Sequence, residues 1–346
     1  MRAGPALPAC QLIRIEAEHT GLCGGRSGAE SWAVDVKALV FTAPATVELR
    51  DEPEPAVARG EALVHVRSAG ICGSELHGVR HPGFRVPPLI MGHEFSGVSD
   101  DGESVVINPV LSCGSCDLCM RGLRQLCRRR ALVGVHRPGG FAERVAVPQS
   151  ALRPLPASLS WDVAALIEPA ANAVHAWRLA GGSAGMRVAV LGCGAIGLFC
   201  LLTALDGRAA SVEVTDLSAA RRDEAIRLGA SRASAALEGE YDVIFDAVGS
   251  AATHAQSVRS QRPGGVTVWL GLADETPGFD STALVRDEKR ILGSFAYDDD
   301  DFDRAAELVS GWDLTWATGY PLTAGAEIFT TLMNGGPQPV KALLRP

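Results

Sequence analysis

Lysine is nearly missing from this chain: Lys37, Lys289 and Lys341 stand alone among 32 basic residues, and the rest are arginine. With alanine and glycine abundant, that skew reads as GC-rich codon usage and not as an arginine-based function. A basic excess is missing too, since 32 basic side chains face 40 acidic ones for a net charge of −8. This argues against a nucleic-acid partner, because affinity for phosphate backbones needs a basic surface. No apolar run approaches the roughly 18 to 20 residues of a membrane-spanning helix, so no membrane association is expected. Nor does an apolar stretch precede Leu7-Pro8-Ala9-Cys10, so a secretory leader is not expected and the expected location is cytoplasmic. Internal repeats and low-complexity segments are absent. Charged residues make up 21% against 47% apolar ones, which excludes a disordered chain.

What remains is a chain of 346 residues, long enough for about two domains with a core each. Residues 1–36 show no sustained periodicity and read as a tail. Ordered patterning begins at Val36-Lys37-Ala38-Leu39-Val40-Phe41. In a GC-rich gene a valine codon can initiate, so Val34 or Val36 is an alternative first residue. Removing residues 1–33 is then expected to leave activity and melting temperature nearly unchanged.

From 37 to about 155 the pattern is one of short strands, at Lys37–Phe41, Glu61–Ser68, Glu94–Val98, Ser104–Ile107 and Phe141–Val147. Proline and glycine punctuate them, which suits an irregular β-rich domain. From about 156 the rhythm changes to alternating strand and helix. Arg187–Leu191, Ser211–Thr215, Tyr241–Phe245 and Gly265–Leu270 are continuous apolar or β-branched runs, as buried parallel strands are. Helical stretches lie near Ile196–Leu205 and Ala219–Leu228, so this half reads as doubly wound α/β.

Four of the nine cysteines, Cys113, Cys116, Cys119 and Cys127, fall within fifteen residues, where an even spread would place fewer than one. Disulfides do not suit a chain kept in a reducing compartment. Four thiolates with two-residue gaps suit tetrahedral zinc, and four protein ligands leave no position for substrate, so this is expected to be a structural zinc.

Strand Arg187–Leu191 runs into Gly192-Cys193-Gly194-Ala195-Ile196-Gly197, which opens a helix. The first glycine permits the tight turn, the second admits a pyrophosphate against the backbone, and the third lets helix and strand pack closely. The helix N-terminus then meets phosphate with unpaired N–H groups and a positive dipole end. A second strand ends at Asp216, where an acid would take the adenine ribose hydroxyls. Gly192, Gly194, Ile196, Gly197, Asp216 and Arg221 are therefore the expected dinucleotide contacts. Asp216 would disfavour a 2′-phosphate and select NAD, although the neighbouring Arg221 and Arg222 would soften that repulsion.

Three further stretches carry metal-binding or acid–base groups: Cys72-Gly-Ser-Glu-Leu-His77, Gly92-His93-Glu94, and Glu168-Pro169 in an apolar run. Taken singly, Cys72 reads equally as a buried small hydrophobe, His93 as a satisfied core histidine and Glu168 as a helix-end acid. Their order around the cysteine lobe and before the dinucleotide fold is what distinguishes them. Together with Phe245-Asp-Ala-Val-Gly249, Gly293-Ser-Phe-Ala-Tyr297 and Val340-Lys-Ala-Leu-Leu344, they make the chain resemble the zinc-dependent medium-chain dehydrogenases, the alcohol and polyol dehydrogenase superfamily, from residue 37 to 346.

The resemblance implies a GroES-like catalytic domain over 37–155, a Rossmann NAD-binding domain over 156–296 and a return to the catalytic domain over 297–346. It implies a second, catalytic zinc on Cys72, His93 and Glu168, the carboxylate placing the site nearer the sorbitol and bacterial alcohol dehydrogenases. Glu94 resembles the neighbouring carboxylate that approaches the metal directly or through water. Ser74 resembles the hydroxyl relay to the substrate oxygen, and His77 an outer relay position. Such a site activates an alcohol for hydride loss to the nicotinamide, or polarises a ketone or aldehyde in reverse. The implied partners are a small-molecule alcohol or carbonyl substrate and further copies of the chain, as homodimer or homotetramer through sheet edges near Val266–Gly271.

Three features depart from the family pattern. Glu75 stands where an aspartate orients the zinc-binding histidine. The stretch Val98-Ser-Asp-Asp-Gly-Glu-Ser104 is a shortened hairpin. Ala296 replaces the arginine of sorbitol dehydrogenases, which weakens a sorbitol assignment. Two rival functions are a zinc-free reductase on the same fold and a non-catalytic dinucleotide-binding protein. Either predicts one zinc per chain, and the dehydrogenase predicts two.

Overall fold

The computed structural model of the protein describes residues 35–81, 85–156, 158–273, 278–335 and 339–346. The expected tail up to residue 34, with the possible start at Val34, lies outside the described residues.

The first half begins with an antiparallel hairpin, β1 (Val36–Ala43) and β2 (Thr46–Glu52). The long strand β3 (Glu61–Gly70) follows and ends at helix α1 (Gly73–Arg80). Strand β4 (Leu89–Ile90) rejoins β1, and β5 (Glu94–Ser99) turns back as β6 (Ser104–Ile107). The turn between them spans Ser99 to Glu103, so the shortened hairpin of the sequence forms as a tight reversal. Strand β7 (Val110–Leu111), helix α2 (Asp117–Met120) and strand β8 (Ala131–Leu132) frame the cysteine lobe, and β9 (Arg144–Pro148) with β10 (Leu152–Pro154) complete this half.

Helices α3 (Trp161–Ala165) and α4 (Ile167–Leu179) lead into the second half. There β11 (Arg187–Leu191), α5 (Ala195–Asp206), β12 (Ser211–Thr215), α6 (Ala219–Arg227) and β13 (Arg232–Ser234) wind one way from the centre. The other way run β14 (Tyr241–Asp246), α7 (Ala251–Arg259), β15 (Gln261–Trp269), α8 (Ser281–Arg286) and β16 (Arg290–Gly293). All pairings are parallel, in the order β13-β12-β11-β14-β15-β16. The order reverses beside β11, and ligands of such sheets bind at the carboxyl ends of the strands flanking the reversal. The sheet edges are β13 and β16. This corrects the expectation of a self-association edge near Val266–Gly271, because β15 is paired on both sides and has no free ladder to offer.

Helix α9 (Asp299–Leu308) packs along α4, and Phe302, Ala305, Val309, Leu314 and Trp316 share the core of the dinucleotide half. The return to the first sheet therefore begins later than residue 297, at β17 (Ala317–Pro321), followed by α10 (Gly325–Met333) and β18 (Lys341–Arg345). The apolar face of α9 explains the difference: it finds its partner on α4 before the chain can leave.

The first half's main sheet runs β10-β6-β5-β3-β18-β17, with β9 also paired to β3. Successive residues of a strand point to opposite faces. Leu343 of β18 and Val106 of β6 accordingly join the core of the second half, while Leu344, Val105 and Ile107 join that of the first. One sheet thus serves two cores.

Candidate active site

The cysteine lobe is assembled by short-range geometry. Residues 113–127 hold only a four-residue helix, α2, and a short 3₁₀ turn, and the four sulfurs converge between them. The Sγ atoms of Cys113 and Cys119 lie 3.9 Å apart, Cys116 and Cys119 3.5 Å, Cys116 and Cys127 3.8 Å, and Cys113 and Cys127 3.5 Å. A tetrahedron of sulfurs each about 2.3 Å from one zinc has edges of about 3.8 Å, so the donor set fits the metal. None of the described cysteines is in a disulfide. The Ser115 N–H, with the Cys116 N–H and Arg129, pulls the Cys113 thiol down to about 5, toward the ligating thiolate.

A second donor cluster forms where β3, α1 and β5 meet. Cys72 is the N-cap of α1, and its sulfur accepts the Ser74 N–H at 3.5 Å and the Ser74 hydroxyl at 3.3 Å. Glu75 closes a capping box by accepting the Cys72 N–H at 3.0 Å. Its other oxygen accepts from Gly92 N and His93 Nδ1, both at 3.0 Å. The longer acid thus reaches the histidine that a shorter aspartate was expected to orient. Burial pushes the Glu75 carboxyl up, but the His93 ring, Arg85 and the Cys72 N–H outweigh it and hold the group below its usual range. With Nδ1 committed to Glu75, His93 has Nε2 left for a metal, the arrangement usual for ligating histidines.

The ligand atoms of Cys72, His93 and Glu94 lie within 4.8 Å of one another. Glu94 is fully buried and ion-paired to the buried Lys341 of β18. Its Oε1 has no hydrogen-bonding partner among the described residues, as suits an atom reserved for a cation. Gly70 makes room for this pair, since a Cβ there would sit 2.1 Å from Glu94 Oε2. Glu168, in the first turn of α4, stands outside the tight trio. Its Oε1 accepts the Tyr297 hydroxyl at 2.7 Å, and burial, reinforced by Glu94, pushes its carboxyl up to about 7 against the pull of His93. Ser74 is partly buried beside the sulfur, and His77 is exposed on α1 against His81.

The glycine turn joins β11 to α5. Gly192 has φ +93°, and a Cβ on Gly197 would lie 1.8 Å from the Gly192 carbonyl oxygen, so both positions demand glycine. Gly194 is the N-cap of α5 and supplies no side chain to its first amides; Ile196 is in the first turn. Asp216 directly follows β12, where it accepts from Cys193 N of this turn and from Ser218 N, each at 2.8 Å. Arg221 comes within 3.9 Å of it, whereas Arg222 is occupied by the carbonyls of Asp216 and Leu217. Open amides at a helix N-terminus facing a ribose-height acid fit a dinucleotide.

Residues 58–157 match the alcohol dehydrogenase GroES-like domain, and residues 195–311 match the zinc-binding dehydrogenase model. L-galactonate-5-dehydrogenase of Escherichia coli K12 is 30% identical over 321 residues, spanning 84% of this chain and 93% of the relative. The chain belongs to the zinc-dependent medium-chain dehydrogenases. L-threonine 3-dehydrogenase of Saccharopolyspora erythraea is likewise 30% identical, over 87% of this chain and 96% of the relative. Among solved structures, a protein described as a zinc-binding dehydrogenase of Sinorhizobium meliloti 1021, bound to NADP, superposes with TM-score 0.84 at 29% identity, covering 90% of this chain and 99% of the other. The 2R,3R-butanediol dehydrogenase of Bacillus subtilis superposes with TM-score 0.81 at 27% identity, with the same coverage of both chains. This medium-chain dehydrogenase is an enzyme of zinc-dependent, NAD(P)-linked alcohol oxidoreduction. Among the described residues no helix is long and apolar enough to cross a membrane.

Sequence reasoning missed three side chains of the site. Arg85 is buried against Ser74, whose carbonyl oxygen and hydroxyl accept from it at 2.7 and 3.3 Å, and nothing in the sequence around it marks it. Tyr297 lay inside a family-like stretch without a role. Lys341 did have a signal: in a chain that writes nearly every cation as arginine, a lysine within an apolar strand stands out.

Proposed function

We propose that this dehydrogenase oxidises a secondary alcohol of the polyol, sugar or sugar-acid kind with NAD, using two zincs per chain. Cys113, Cys116, Cys119 and Cys127 hold the structural one; Cys72, His93 and Glu168 hold the catalytic one, with Glu94 as the nearby alternative carboxylate. Zinc bound there would supply Lewis-acid polarisation of the alcohol oxygen, and a bound nicotinamide would supply the hydride acceptor. The chain's own residues orient and move protons: Glu75 turns His93, Lys341 holds Glu94, and the Ser74 hydroxyl begins a proton path that His77 continues toward solvent. The observation that carries this reading is the Cys72–His93–Glu94 convergence, with His93 Nδ1 already engaged by Glu75. The named activities of the galactonate, threonine and butanediol relatives support the substrate class.

Asp216 supports NAD over NADP. A 2′-phosphate about 4 Å from its carboxylate, at an effective dielectric of ~20, meets repulsion of about 4 kcal/mol per unit charge, which Arg221 partly offsets. We place the enzyme in the cytoplasm, consistent with its free thiols, and assign self-association to the open edge of β16.

Metal analysis with a substrate panel tests this. Two zincs per chain are expected, falling to one in Cys72→Ala, together with nicotinamide reduction that is more efficient with NAD than with NADP. A single zinc in the unmutated enzyme would overturn the ligand assignment, and a preference for NADP would show that Arg221 prevails.

A further inference from the structure

Glu168 is held by a residue that none of the roles above employs. Tyr297 is fully buried, and its hydroxyl donates to Glu168 Oε1 at 2.7 Å, leaving Oε2 as the carboxylate atom available to a metal. We propose that Tyr297 is a positioning residue of the catalytic metal centre, its hydroxyl orienting Glu168 as a ligand. This rests on the assignment of Glu168 to that centre.

The backbone around Tyr297 is built to aim it. Ser294 leaves the dinucleotide sheet after its N–H bonds Trp269. Ala296 then adopts φ +50°, a left-handed conformation that a Cβ disfavours. That kink sends Phe295 outward, where the Arg130 guanidinium lies 4.8 Å from its ring, and Tyr297 inward. The next residues are clamped to α4, the helix that carries Glu168. Asp301 accepts from His175 Nδ1 at 2.6 Å and from Arg178 Nε at 2.8 Å, and Arg178 also reaches Asp298. His175 lies seven residues, or about two turns, beyond Glu168. Helix α4 is therefore gripped at its first turn by the tyrosine and two turns on by the carboxylates. The same clamp explains why His175, Asp298 and Asp301, which sit close enough to hold an ion, need none: the Arg178 guanidinium already bridges the two acids.

A buried carboxylate oxygen needs a donor in any case, so a purely structural tyrosine must be told apart from a positioning one. Tyr297→Phe removes only the hydroxyl. Outer partners of metal ligands typically contribute about 10- to 100-fold to metal affinity. Chelator competition on the full-length protein is expected to show that loss at the catalytic zinc and none at the cysteine lobe. The cobalt-substituted catalytic site is expected to show a shifted d–d spectrum. Unchanged affinity and spectrum would overturn the proposal, whatever happens to thermal stability. Glu168→Gln runs beside it: if that variant loses the zinc while Tyr297→Phe keeps it, only the positioning role fails. If Glu168→Gln also keeps the zinc, the ligand assignment falls and the proposal with it. Should Tyr297→Phe not fold, the unmutated protein still decides. The chain has three tyrosines, so 3-fluorotyrosine labelling gives a fluorine spectrum assignable with Tyr241→Phe and Tyr320→Phe. The Tyr297 signal is expected to move as metal-depleted protein fills its second site, and a signal unmoved by that step refutes the role.

Discussion

Ser74 sits between a sulfur and a guanidinium. Its hydroxyl donates to Cys72 Sγ while accepting from Arg85, so its proton is already directed at the sulfur proposed to bind the metal. Ser74→Ala leaves the helix cap, the ligands and the glycine turn in place and removes only this hydroxyl. General acid–base steps contribute typically about 10²–10⁴-fold. Turnover is expected to fall by that much while zinc content and NAD affinity hold, read from steady-state kinetics and metal analysis. Near-normal turnover with chemistry rate-limiting would exclude the relay. The neighbouring Gly70 offers a contrasting case. Gly70→Ala drives a methyl into the Glu94–Lys341 pair, and a buried charge separated from its partner is strongly destabilising. That variant is expected to lose both thermal stability and catalytic zinc.

Helices α4 and α9 depend on each other through charges as well as apolar packing. Asp301 is buried, and although burial opposes its ionisation, Arg178 and His175 hold its carboxyl well below the usual carboxylate range. Breaking a fully buried pair costs about 3–5 kcal/mol, but Arg178 is half exposed, so Asp301→Asn is expected to cost about 2–3 kcal/mol in denaturant unfolding. The pH dependence has a definite sign. A carboxyl with a depressed folded pKa contributes stability above its unfolded value of about 4 and loses it as pH falls through the folded value. The gap between wild type and Asp301→Asn is therefore expected to be widest near neutrality and to close under acid; a gap independent of pH would refute the charge clamp. Helix α1 shows the opposite economy, since its cap and its chemistry are the same atoms: Cys72 caps the helix with the sulfur proposed to bind metal, and Glu75 completes the capping box while turning His93.

The two halves share β18, which faces one core with Leu343 and the other with Leu344 and carries Lys341 into the site. The described residues accordingly pack as one compact unit. Trp177, Trp312 and Trp316 pack in or against the core of the second half, whereas the cysteine lobe belongs to the first. Tryptophan fluorescence and chromogenic detection of released zinc thus report different parts of the molecule. Their thermal midpoints are expected to coincide, as coincident probes do for a single cooperative transition. Two separated midpoints would mean that the shared strand does not couple the halves.

Local chemistry made much of this protein legible from its residues alone. Spacing within fifteen residues was enough to bring four cysteines together. The alternation of apolar strands with helical stretches marked Arg187–Leu191 and Ser211–Thr215, which form over those same residues, and the glycine turn between β11 and α5 followed from φ and close approach. These features need only neighbours in the chain. The partners of Glu94 and Glu168 come from Lys341 and Tyr297, more than a hundred residues away, and which buried polar side chains meet is decided by how sheets and helices pack. Strand order has the same origin: Gly265–Leu270 reads as an apolar run, and only pairing on both sides makes β15 an interior strand and β16 an edge. The late return at β17 was likewise hidden, because the docking of Phe302 and Ala305 of α9 on the core beside α4 is settled only by packing.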